Sequence, residues 1–137
     1  MTETVTLKRD LRHPPQKVWR ALTQAPLISD WLMPTDFVAE VGHSFKFQSQ
    51  PNPPRWDGII HGEVKAVEPL SRLVYTWSTM GMELLVTLTL TPSGDGTHLR
   101  VEQSGFPDTT GPYYQGAIYG WQMFLGKLDG LLEGIGA

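Results

Sequence analysis

Apolar residues recur along this chain at two spacings, and the switch between them outlines its elements. From Tyr113 to Glu133, Tyr114, Ala117, Ile118, Trp121, Phe124, Leu125, Leu128, Leu131 and Leu132 share one face at the three-and-four spacing of an amphipathic helix. Gln115, Gln122, Asp129 and Glu133 lie opposite, and Gly116, Gly120, Gly130 and Gly134 form a narrow stripe between the two. At about 1.5 Å per residue this helix is roughly 30 Å long. Its broad apolar face has to lie against something large.

What precedes it is mostly period two, the spacing of strands with one buried face. Val5, Leu7, Arg9 and Leu11 alternate with Thr6, Lys8 and Asp10, and Arg9 is the polar member of the inward set. His13-Pro14-Pro15 ends that strand, and Pro15 opens a short helix carrying Val18, Trp19 and Leu22. Pro26 breaks it, and Leu27 to Trp31 form a second helical turn that stops at Pro34. Val41, His43, Phe45 and Phe47 then share one parity, ahead of a rigid Pro51-Asn52-Pro53-Pro54 loop that carries Arg55 and Trp56.

The strand from about Gly58 to Val67 is expected to bury Ile60 and Val64, which leaves His61 and Glu63 on the solvated face. Leu73, Tyr75 and Trp77 alternate in the next strand, and Met80-Gly81 turns the chain back. Leu84, Val86, Leu88 and Leu90 make the clearest strand, and Ser93-Gly94-Asp95-Gly96 is a hairpin signal. Thr97, Leu99, Val101 and Gln103 point inward after it, so Gln103 is a second inward polar group. Sequential hairpins make an antiparallel sheet, and a sheet with one buried face needs a helix across it. The expected fold is α+β, a helix-grip: a curved six-stranded antiparallel sheet around a long C-terminal helix, with two short helices after the first strand. A sheet wrapped around a helix is a container, which suggests binding.

Composition narrows this picture. The 137 residues are expected to form a single domain, 1–137, large enough to bury about two thirds of the unfolded surface. The absence of cysteine removes disulfide, thiol and thiolate-metal chemistry and suits a reducing compartment, with the cytoplasm as the default. No apolar run approaches the ~20 residues of a membrane span, and the first ten residues lack the apolar core of a signal peptide. A net charge of −3 without a lysine and arginine block does not fit nucleic-acid binding. No nucleophile motif, phosphate-binding glycine loop or metal-ligand spacing occurs, so no cofactor and no metal are expected.

In order and spacing, Val18-Trp19-Arg20-Ala21-Leu22-Thr23, Leu27 to Trp31, Gly62-Glu63-Val64 with Glu68-Pro69, Leu73-Val74-Tyr75-Thr76-Trp77 and Ser104-Gly105-Phe106 resemble the START-like superfamily. Within it, the chain is similar to the family named after the activator of the heat-shock-protein-90 ATPase. The resemblance covers nearly the whole chain. It implies a hydrophobic cavity between helix and sheet, and proteins of this kind include ligand carriers, polyketide cyclases and a co-chaperone domain. The co-chaperone role belongs to a two-domain architecture, and this chain matches only the single START-like domain. Chaperone contact is therefore not expected of it.

If the cavity exists, inward strand residues and the helix face should line it: Phe45, Phe47, Tyr75, Trp77, Val86, Leu88, Leu99, Val101, Ile118, Trp121 and Leu125. The alternative is that these side chains simply fill the core. Arg9 and Gln103 belong on neighbouring strands, where they satisfy one another or face a ligand's oxygen, and His43 shares the parity of Phe45. Trp56, beside Arg55 on the proline loop, is a candidate gate or packs over the sheet edge. His61 and Glu63 are two apart on one strand and are weighed as an acid/base or metal pair against plain solvation. The helix glycines admit close approach of a second subunit, flexing over the cavity, or no role. The leading expectation is non-catalytic binding of a small hydrophobic or amphipathic molecule. The alternatives are cyclase- or hydrolase-type chemistry in the same pocket, using Arg9, His43 and Gln103, and a protein-interaction module.

Overall fold

Period-two segments pair into one curved antiparallel sheet in the computed structural model, which describes residues 3–51, 57–107 and 109–136. The chain runs β1 (Glu3–Leu11), α1 (Pro15–Thr23), α2 (Ala25–Trp31), β2 (Ser44–Gln48), β3 (Ile59–Glu68), β4 (Arg72–Thr79), β5 (Met82–Ser93), β6 (Gly96–Phe106) and α3 (Pro112–Gly134). The strands lie in the order β1-β6-β5-β4-β3-β2, so the first strand pairs with the last and β1 and β2 form the two edges. The chain must therefore travel from one edge to the other between β1 and β2. The two short helices lie on that crossing, and Trp31 Nε1 ties the second to the first by donating to the Ala21 carbonyl at 2.8 Å.

The turns follow from their residues. Met80 and Gly81, at φ 50° and 78°, form the two-residue loop between β4 and β5, whose mirror-image twist matches that of the flanking strands. One expected strand begins later than its alternation suggested. Gly42 has φ 91°, Val41 is 63% exposed, and His43 N–H donates to the Glu40 carbonyl at 3.0 Å in a turn. The positive φ at Gly42 places it in this turn, so β2 starts at Ser44 and keeps only Phe45 and Phe47 as buried residues.

The long helix lies on the buried face of the sheet and contributes Trp121, Leu125, Leu128 and Leu132 to a core shared with α1, α2 and the inward strand residues. Its C-terminal half is also fastened by polar contacts. Arg9 Nε and Nη2 reach Asp129 Oδ2 at 2.6 and 2.5 Å, His13 Nε2 lies 3.3 Å from Glu133 Oε1, and Arg20 donates to the Gly136 carbonyl at 2.8 Å. Both partners of the Arg9–Asp129 pair are more than one third exposed, so solvent screening leaves it worth less than about 1 kcal/mol. The N-terminal half is held differently, by Phe106 packing edge-on to Tyr114 with ring centroids 5.7 Å apart and by one hydrogen bond to the sheet described below.

Candidate functional site

Along α3 the side chains that face the sheet change in size. Leu125, Leu128 and Leu132 fill the space beneath the C-terminal half, whereas Gly116, Ala117 and Gly120 leave it open beneath the N-terminal half. A cavity of about 280 Å³ results, just below the roughly 300–1,000 Å³ usual for ligand sites. The sheet supplies Ile60 from β3, Trp77 and Thr79 from β4, Met82 and Leu84 from β5, and Gln103 and Phe106 from β6. The helix supplies Pro112, Tyr113, Gly116, Ala117, Gly120, Trp121 and Phe124, and Met33, Ser49 and Met80 complete the lining. Three methionines give this wall unbranched, polarisable side chains that adapt to what they contact. Larger hollows of about 480 to 510 Å³ lie around Asp10 and Arg12 and around Asp30 and Lys127, and polar or charged residues make up half or more of each of their linings.

Gln103 is the buried polar residue in this lining, at 2% exposure. Its neighbours across the sheet are Val5 on β1 and Val86 on β5, so its amide has no polar partner sideways and rises toward the helix. There its Oε1 accepts a 2.8 Å hydrogen bond from Trp121 Nε1. An indole nitrogen only donates, so this bond fixes which end of the amide faces Trp121.

Of the residues expected to line a cavity, Trp77, Gln103 and Trp121 do so. Phe45, Phe47 and Tyr75 instead join Phe37 in a solid ring cluster, with centroids 4.9 to 6.0 Å apart. Trp77 links that cluster to the cavity, 5.3 Å from Phe47 and 5.8 Å from Trp121. Val86, Leu88, Leu99, Val101 and Leu125 are packed into the core outside the lining, and Ile118 is half-buried on α3, also outside it. Arg9 and Gln103 do not satisfy one another: they stand four positions apart on the β1–β6 ladder, opposite Leu99 and Val5, and each pairs with α3 instead. His43 reaches the Asp36 carbonyl at 3.3 Å, away from the cavity, and Trp56 lies outside the described residues. His61 is exposed, and Glu63 takes the Lys65 ammonium at 2.9 Å.

Burial pushes the Tyr75 hydroxyl well above the usual phenol range, so it stays protonated in the fold. A tyrosine in the unfolded chain ionises near pH 10, and above that pH only the unfolded state gains from ionisation. Stability present below about pH 10 should therefore fall by about 1.4 kcal/mol per pH unit above it on account of this residue. Urea melts of Tyr75→Phe from about pH 9 to 12 are expected to show a shallower alkaline decline than the parent. Parallel curves would mean the hydroxyl ionises in the fold.

Residues 12–133 match the sequence profile of the family described as Activator of Hsp90 ATPase homolog 1-like protein. The chain belongs to that family. Its helix-grip fold is that of the START-like superfamily. Among solved structures of similar chains, protein MLL2253 from Mesorhizobium loti is 44% identical over 98% of this chain and 100% of its own, with a TM-score of 0.90. Protein BH1534 from Bacillus halodurans is 26% identical over 96% of this chain and 99% of its own, with a TM-score of 0.80. DynU16, a protein of the dynemicin biosynthetic locus, is 28% identical over 95% of this chain but 47% of its own, with a TM-score of 0.81. No curated protein matches the chain. Among the described residues, no helix of this Hsp90-activator-like chain is long and apolar enough to cross a membrane, and no group of three or more His, Asp or Glu converges as a metal site would require.

Proposed function

We propose that this protein binds a small, mostly apolar molecule in the cavity beneath the N-terminal half of α3 and performs no chemistry on it. The observation that carries this reading is the lining itself. It is apolar on nearly every side, and among the described residues it includes no carboxylate, imidazole, ammonium or guanidinium group. Acid–base catalysis most often uses such a group within reach of the reacting atom, and the one titratable side chain in the described lining is the Tyr113 phenol, whereas retention of an apolar guest needs only enclosure and a few placed polar atoms. The similarity to DynU16, from a biosynthetic locus, supports a small organic guest.

Two measurements test it together. Native mass spectrometry of protein purified from its own host is expected to show one co-purifying small molecule, identified after extraction. Gly120→Leu should then lose the guest while keeping the fold. A Cβ at Gly120 meets only Phe124 Cε2 at 3.8 Å, so the backbone accepts a side chain there, and the leucine occupies cavity volume. Affinity is expected to fall at least about tenfold, since one displaced or misplaced group in an apolar pocket is worth about 1–3 kcal/mol. Unchanged binding by a folded Gly120→Leu protein would place the guest elsewhere.

A further inference from the structure

Gln103 commits only half of its amide. The oxygen accepts from Trp121 Nε1, and among the described residues its NH2 makes no hydrogen bond. Among the described residues no buried side-chain nitrogen or oxygen is sealed away without a partner, so this NH2 opens onto accessible space, and the space that Gln103 lines is the cavity. The amide cannot turn over to hide its donors, because Trp121 offers a hydrogen and accepts none. The result is a hydrogen-bond donor of fixed direction in a mostly apolar wall, whose other polar groups include the hydroxyls of Ser49, Thr79 and Tyr113, and it is flanked by Val5 and Val86 within the sheet.

Resting on the cavity reading above, we propose that the guest is an apolar molecule bearing a carbonyl-type acceptor, and that Gln103 NH2 donates to that oxygen while Trp121 holds the amide in place. Trp77 and Trp121 pack against each other with ring centroids 5.8 Å apart and line the cavity beside that donor, so aromatic surface is available to an aromatic skeleton. The methionines tolerate variation in outline, so the oxygen rather than the shape decides which guest is kept.

A pair of matched probes tests this by calorimetric titration: 2-acetylnaphthalene, and 2-isopropenylnaphthalene, in which a methylene group replaces the carbonyl oxygen. The parent protein should bind the ketone at least about fivefold more tightly, the equivalent of one hydrogen bond of about 1 kcal/mol. Gln103→Glu, titrated at about pH 9 so that the buried carboxyl is ionised, keeps an acceptor for Trp121 while removing the donor, and in that variant the preference should vanish or invert. Equal affinity of the parent for both probes would overturn the proposal and leave the cavity reading standing, with the amide serving only to position Trp121. Failure of both probes to bind, with no displacement by Gly120→Leu of anything co-purified, would overturn both.

Discussion

Replacing Gly62 with alanine is expected to lower the melting temperature by roughly 7–10 °C, a loss of about 2–3 kcal/mol. Gly62 lies opposite Phe45 in the β2–β3 ladder, and a Cβ there would run into the Phe45 ring and stand 2.7 Å from the Thr76 carbonyl oxygen. A lone exposed ring would swing aside. This one is braced by Phe37, Phe47 and Tyr75 at 4.9, 5.2 and 5.3 Å, so displacing it moves the whole cluster. Thermal unfolding followed by circular dichroism decides the matter. A drop of less than about 2 °C would show that the cluster yields, contrary to close packing.

Trp121→Phe should cost about 2–4 kcal/mol, more than the change in ring size alone would suggest. The indole N–H is what Gln103 Oε1 accepts, and with Gln103 only 2% exposed the orphaned oxygen has little water to turn to. A double-mutant cycle isolates that share. Gln103→Leu removes the acceptor and strands the indole N–H, and the double variant removes both, so its loss should fall short of the sum of the singles by about 1 kcal/mol or more. Strict additivity in urea melts would mean that the bond contributes nothing to stability.

Much of this fold is legible in residue order, because the physics behind its elements is local. Leu84, Val86, Leu88 and Leu90 alternate because one face of β5 is buried, and Met80-Gly81 turns because its second residue accepts a positive φ without strain. The start of β2 was hidden because Gly42, an unremarkable member of an alternating run, adopts a positive φ in a turn just ahead of the strand. The site was harder to place, since period two tells which face a side chain occupies but not how far along the helix it lies. Phe45 and Trp77 share the inward face, yet one is sealed in a ring cluster and the other lines the cavity. The informative signal was the missing volume of Gly116, Ala117 and Gly120 on a helix that otherwise presents leucines. Likewise, neighbouring strands were not enough to join Arg9 to Gln103, because their pairing depends on register, which residue parity does not set.

The pairing of β1 with β6 also governs how the molecule comes into being. Thr97 Oγ1 donates to the His13 carbonyl across 84 residues, and the ladder beside it spans similar or longer separations. At translation speeds of roughly 5–20 residues per second, the first strand waits about 4–17 seconds on the ribosome before its partner has been made. During that interval Glu3, Lys8, Arg9 and Asp10 keep charge on a strand whose Val5, Leu7 and Leu11 would otherwise invite pairing with a neighbouring nascent chain.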